Sequence, residues 1–142
     1  MSVTLAEVYR TPGHLETLYA LLKERKPSMN IRHEKLPSFK EHASFVRKKP
    51  YIGWYFIRDS QKTVGSVLLD VRAGENEIGV FVFKKFQKKG YATQAVQLLM
   101  RKFKKVKKFT CFINPKNTRS IDFFEGLGFR HVQNTYELLR KG

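Results

Sequence analysis

The sequence is short of acid. Its 142 residues include 12 aspartates and glutamates against 28 lysines and arginines, a formal net charge of +16. Such a chain attracts anions, whether nucleic acid, acidic lipid or phosphorylated small molecules. The excess limits the sign of a partner and does not name it. Cysteine is nearly absent. Cys111 stands alone, which excludes an internal disulfide and fits a reducing, cytoplasmic setting. No apolar run approaches the roughly 20 residues of a membrane span. The opening MSVTLAEVYR lacks the basic-then-apolar order of a secretory signal. His14, His33, His42 and His131 show no metal-ligand spacing, so no metal site is expected. Internal repeats and low-complexity linkers are also missing.

What is present suffices for a packed core. Hydrophobic residues make up 42% and aromatics 13%, and the length suits one domain over residues 1–142. Val3 to Arg10 alternates weakly and predicts a strand. Leu15, Leu18, Tyr19 and Leu22 share one helical face, with Pro12 suited to that helix's first turn. KPSMNIRHEKLP reads as a loop bounded by Pro27 and Pro37. Ser38 followed by Glu41 is a capping-box pattern, and it predicts a second helix through about Arg47.

Strands are expected at 53–58, 63–70 and 76–83, joined by the turn-like DSQK and RAGE into an antiparallel meander. A helix follows, on the period of Ala92, Ala95, Val96, Leu99, Phe103 and Val106. FTCFI (109–113) reads as a buried strand. NPKN opens a further helix with Ile121, Phe124 and Leu127 on one face, ended by Gly126 and Gly128. FRHV and TYELL predict two last strands. The fold class is α+β: one mostly antiparallel sheet of about six to seven strands flanked by about four helices, with a splay between 76–83 and 109–113.

Between the third strand and its helix stands QKKGYA, Gln87 to Ala92. A helix N-terminus presents unpaired N–H groups and the positive end of the helix dipole, which together bind anions. Gly90 lets backbone approach a phosphate closely, and Lys88 and Lys89 add charge. From Lys84 to Lys108 there are ten basic residues and no acidic one. A glycine cap with solvated lysines would look the same locally.

The pattern Gln87-Lys88-Lys89-Gly90-Tyr91-Ala92 resembles the Q/R-x-x-G-x-G/A loop of the GNAT superfamily of acetyl-CoA-dependent N-acetyltransferases. About thirty residues on, NTRSIDFFEGLGF (117–129) is similar to that family's second motif. The resemblance covers residues 53–140, and the N-terminal third fits the family's variable strand–helix–helix region. It implies acetyl-CoA as acetyl donor. It places backbone N–H groups from Lys88 to Thr93, with Gln87, around the pyrophosphate, and the pantetheine arm along Phe81, Val82 and Phe83. Asn117 would contact the arm, Arg119 and Ser120 would contact CoA, and the thioester carbonyl would meet an N–H near Val82. Tyr91 and Ala92 complete the loop.

An attacking amine must lose a proton, and Glu77, at the strand leading to the loop, is the candidate base. Where many members of the family carry a tyrosine acid, this chain has Phe124, which the resemblance counts among the CoA-binding residues. Trp54 and Tyr55 are candidate substrate-facing rings. Cys111, mid-strand between aromatics, reads as a small buried residue, and Asp70 and Asp122 read as surface or capping residues. The acceptor is expected to be a small amine carrying negative charge, such as an amino sugar or its nucleotide-linked form. The alternatives are a peptide or protein amine, a CoA-binding protein without catalysis, and a nucleic-acid-binding module. The last lacks any recognisable nucleic-acid motif. The protein is expected to be a monomer or homodimer with no membrane partner.

Overall fold

Aromatic and β-branched residues in the middle third build the sheet. The computed structural model describes residues 1–25 and 35–140. The expected loop from Pro27 to Pro37 lies largely outside those residues, as does His33. Strands β1 (Val3–Glu7), β2 (Gly53–Asp59), β3 (Lys62–Asp70) and β4 (Glu77–Val82) form one sheet in the order β1-β2-β3-β4. Every pairing is antiparallel. The β2 and β3 register shifts between Ile57 and Arg58, a bulge that adds twist.

Helices cover both faces. Helix α1 (His14–Lys23) and helix α2 (Phe39–Arg47) pack on one side, where Val8, Leu18, Leu21, Val46, Trp54, Phe56 and Leu68 form a core cluster. Helix α3 (Tyr91–Lys102) and helix α4 (Thr118–Gly126) lie on the other, over Ile57, Val64, Val67, Leu69, Ile78 and the buried face of α3. The capping box of α2 is complete: the Glu41 N–H donates to Ser38 Oγ and the Ser38 N–H to Glu41 Oε1. On α1 the buried residues are Leu18 and Leu21, so the inward face is turned slightly from the one the sequence suggests. Pro12 precedes that helix, whose cap is Gly13.

Five expectations are corrected. The first strand stops at Glu7, and Val8–Arg10 form a 3-10 turn. The helix expected to reach Val106 ends at Lys102, where Phe103 leaves helical backbone. The Phe103 ring then lies so close to Gly53 that a Cβ there would sit 2.8 Å from it. The sheet has four strands among the described residues, not six to seven. Residues 109–113 make one parallel bridge, Thr110 to Glu77, and then part from β4. Residues 130–140 form no strand and are exposed, with Tyr136 and Leu138 about nine-tenths accessible. Strand propensity there finds neither a neighbouring ladder nor an apolar face to cover.

Candidate active site

The parting of 109–113 from β4 is the central geometric fact. Ile78 donates to the Thr110 carbonyl at 2.8 Å, and Thr110 donates to the Asn76 carbonyl at 2.8 Å. Phe83 donates in the opposite direction, to Val64 on β3. Backbone direction alternates along a strand, so the N–H groups of Val80 and Val82 face the same edge as that of Ile78. At their level 109–113 no longer pairs. The open edge thus offers a short row of backbone donors. Phe81 and Phe83, expected to flank a ligand arm, direct their N–H groups to β3 instead. Their side chains pack on the α1/α2 face.

The edge runs into the loop before α3. Lys88 has φ +63° and Gly90 φ +87°. Left-handed residues inside a turn aim successive N–H groups toward one point, a concavity that binds anions. Gly90 caps α3 with no side-chain hydrogen bond, and the first helical backbone bond beyond it is Gln94 to Gly90. The N–H groups of Tyr91, Ala92 and Thr93 are therefore first-turn donors. A Cβ on Gly90 would meet only the Met1 methyl, at 3.8 Å, so the space in front of the loop is open.

Two residues of the predicted set brace this loop. Gln87 Nε2 donates to the Val82 carbonyl at 3.0 Å, and Arg119 Nη1 donates to Gln87 Oε1. Helix α4, the loop and the end of β4 are thereby tied together. Asn117 Oδ1 accepts from the Ser120 N–H at 3.2 Å and caps α4. Tyr91 turns its ring into the core, and its hydroxyl donates to Asp59 Oδ2 at 2.6 Å, which pushes the phenol pKa up and the carboxyl pKa down. Phe124 is buried between Phe123 and Phe129, ring centroids 5.0 and 5.2 Å away. Lys88 and Lys89 are exposed on the loop, with the Lys89 ammonium 5.9 Å over the Phe86 ring.

Glu77 stands at the start of β4, directly opposite Asp70 on β3. Opposed like charges are unfavourable, and Arg72 offsets them. Its guanidinium grips Asp70 with two bonds of 3.0 and 2.9 Å, while its backbone N–H donates to the same carboxylate at 2.9 Å. Asp70 is 4% exposed. It is a buried partner with a capping role, not a surface residue. The guanidinium also lies over the Phe45 and Tyr51 rings. Burial chiefly, with Asp70 and Glu77 nearby, pushes the Tyr51 phenol up to about 12. The Cys111 thiol rises to about 11 through burial and the Glu77 charge, which keeps it a poor nucleophile near neutrality.

Trp54 and Tyr55 point to opposite faces of β2. Trp54 joins the α1/α2 core and Tyr55 packs against the α3/α4 core. Both also border a cleft of about 450 Å³ at the end of the sheet, with Glu7, Tyr9, Arg10, Lys49 and Tyr51. Sequence reasoning missed Tyr51, Arg72 and Lys49. The spacing Asp70-x-Arg72 at a strand end was the available signal for the ion pair. Among the described residues no three His, Cys, Asp or Glu side chains group to hold a metal, and no helix is long and apolar enough to cross a membrane.

A family profile described as an acetyltransferase (GNAT) domain matches residues 3–130. Among curated proteins none matches the chain. Solved structures share the fold. A domain from Methanocaldococcus jannaschii superposes with a TM-score of 0.80 at 24% identity, covering 96% of this chain and 93% of that one. An acetyltransferase from Thermus thermophilus gives 0.77 at 17% identity, covering 94% and 90%. AAC(6')-Iy in complex with the bisubstrate analog CoA-S-monomethyl-acetylneamine gives 0.71 at 17% identity, covering 99% and 98%. The profile spans nearly the whole chain, and with it the edge, loop and helix described above: the chain belongs to the GNAT family of acetyl-CoA-dependent N-acetyltransferases.

Proposed function

We propose that this protein, acting as one catalytic domain over residues 1–142, transfers the acetyl group of acetyl-CoA to the primary amine of a small anionic acceptor, an amino sugar or its nucleotide-linked form. The observation that carries the reading is the continuity of the open β4 edge with the left-handed loop. Donors at Val80 and Val82 suit an amide-bearing pantetheine arm, and donors from Lys88 to Thr93 suit a pyrophosphate. Gln87 and Arg119 brace the loop, and Lys88 and Lys89 add charge. Acetyl-CoA supplies an activated acyl group as a thioester.

With Val82 on the arm, the Val80 N–H, farther from the loop on the same edge, is the candidate donor to the thioester carbonyl oxygen. Glu77, on the strand that forms the open edge, takes the proton from the acceptor's ammonium, directly or through water. Arg72 neutralises Asp70, so the pair of carboxylates presents one charge for this task. Phe124 offers no hydroxyl, and the leaving thiolate is stable enough to take its proton from water.

The acceptor's charge is inferred from the net +16, which concentrates anions and repels polyamines and lysine-rich peptides. AAC(6')-Iy, which shares the fold, was captured with a CoA-linked acetylneamine analog; that acceptor is an aminoglycoside and cationic, so it supports the sugar part of the proposal and not the charge. Free CoA measured against a panel of amino sugars, their nucleotide-linked forms, amino acids, polyamines and peptides tests the proposal. The best acceptor should be anionic, with kcat/KM falling as ionic strength rises. Glu77→Gln should lower turnover roughly 10²–10⁴-fold near neutral pH, with much of the loss recovered at high pH. A polyamine as best acceptor, helped by salt, would refute the electrostatic part. Full turnover in Glu77→Gln would remove Glu77 from the mechanism.

A further inference from the structure

The ten basic residues from Lys84 to Lys108 do not form one cluster. Four lie in or beside the loop before α3. The remainder follow Met100, at the other end of a helix of 12 residues, about 18 Å away at 1.5 Å per residue. CoA phosphates held at the loop do not account for that second group. Its first lysine reaches a wall of the cleft: Lys102 Nζ lies 5.2 Å over the Tyr55 ring, and Phe103 packs against Gly53, while Lys108 pairs with Glu75 at 3.7 Å.

Inside the cleft the charges are uneven. Arg10 and Glu7 form their own ion pair at 3.0 Å and cancel. Lys49 adds a cation, its ammonium 5.1 Å over the Tyr9 ring. Lys49 has φ +50° at the position just beyond the cap of α2, where left-handed backbone favours glycine. The chain keeps a strained lysine at the rim where glycine would be easier. The walls are aromatic. Tyr51 and Trp54 meet edge to face at 4.6 Å, and Tyr9 and Trp54 at 6.3 Å. Trp54 Nε1 is buried with no hydrogen-bond partner among the described residues.

Tyr51 connects the cleft to the reaction centre, because it lines the one and lies beneath the Arg72 guanidinium that grips Asp70, opposite Glu77. In the ladder Gly53 faces Leu69, which faces Ile78 next to Glu77. Two strand spacings separate them, about 10 Å.

We propose that the cleft between the Val8–Arg10 turn and residues 49–55 binds the part of the acceptor remote from its amine: a sugar ring stacked on the aromatic walls, with its phosphate held by Lys49 at the rim and Lys102, over the Tyr55 ring, adding positive field from the other face of β2. This site rests on the proposed acetyl transfer to an anionic amino sugar and specifies where that substrate is read. Rings with polar edges suit a sugar, and a rim lysine, Lys49, with no ion pair among the described residues suits a phosphate. With Glu7 taken by Arg10 and the Tyr9 and Tyr55 rings already facing lysines, a polyamine or lysine-rich peptide is disfavoured there.

Trp54 is the sole tryptophan, so its fluorescence reports the cleft without turnover or acetyl-CoA. The probes are a hexose 6-phosphate lacking an amine, the free hexose and inorganic phosphate, each titrated into wild type, Lys49→Gly and Lys102→Ala. The hexose phosphate should give a saturable change in emission, and Lys49→Gly should weaken it tenfold or more with an unchanged circular-dichroism spectrum. Glycine suits the left-handed position, so this variant keeps the helix end. Lys102→Ala should weaken it several-fold, and the two separate halves should bind at least tenfold more weakly than the whole. No saturable response, or one that Lys49→Gly leaves intact, overturns the site. Phosphate alone binding as tightly as the hexose phosphate overturns the sugar half. A protein that binds the probe but acetylates no amine would refute the proposed reaction and leave the cleft standing. One that acetylates an anionic amino sugar without any Trp54 response would do the reverse.

Discussion

At the scale of single residues, the site depends on groups whose neighbours fix their protonation. Tyr51 is the clearest. Burial raises its phenol from 10.0 to about 12, opposed by Arg72. The folded state therefore holds this proton more tightly than the unfolded chain. The corresponding stability is fully present below about pH 10 and is lost as pH rises toward about 12. Urea midpoints of wild type and Tyr51→Phe, compared across that range, should show the steeper alkaline loss in wild type. Parallel curves would mean that Tyr51 is not held as described. Asp70 teaches a related lesson. An acidic residue at a strand end reads as exposed, yet Arg72 two residues later makes burial tolerable, because a buried charge survives when it is paired and hydrogen-bonded.

At the scale of elements, the meander was legible because its residues alternate and its turns are polar. Ser38 and Glu41 announced α2 because a capping box is a local device that needs no tertiary partner. The loop Gln87–Ala92 was legible for the same reason. The C-terminal strands were not, because strand pairing is decided by what lies alongside. Residues 109–113 touch β4 at a single bridge, and 130–140 meet no ladder. The length of α3 was overestimated since Phe103 and Val106 keep the helical period, while the Phe103 ring is claimed by Gly53. Gly65 shows how closely the meander is fitted. A Cβ there would lie 2.1 Å from the Phe81 carbonyl oxygen, on backbone that cannot yield cheaply. Gly65→Ala should cost about 3 kcal/mol, at the upper end of overpacking effects, while Gly126→Ala, with nothing within 4 Å, should be neutral or slightly stabilising. Denaturant midpoints measure both. Equal midpoints for the two variants would contradict the close approach of β3 and β4.

At the scale of the whole molecule, helix α3 separates two basic groups. One is the loop before α3, beside the open edge of β4. The other lies at and beyond the end of α3, with its Lys102 over a wall of the aromatic cleft. Composition shows the excess charge, but only the fold divides it, since residues adjacent in sequence are carried apart by a straight helix. That division is what the proposed reaction calls for, a phosphate-bearing donor at one end and an anionic acceptor at the other, with Glu77 and the Val80 N–H as the proposed base and donor between them. The account's central claim is that the left-handed loop holds the donor by its pyrophosphate. Calorimetric titration of acetyl-CoA against S-acetylpantetheine, which keeps the thioester and arm but lacks the nucleotide and its phosphates, tests this most directly. Acetyl-CoA should bind at least roughly 100-fold more tightly, a difference of about 2.7 kcal/mol, and Gly90→Ala, which puts a side chain into the open space at φ +87°, should erase most of that advantage. Equal affinity for the two donors, or an advantage that Gly90→Ala leaves untouched, would contradict it.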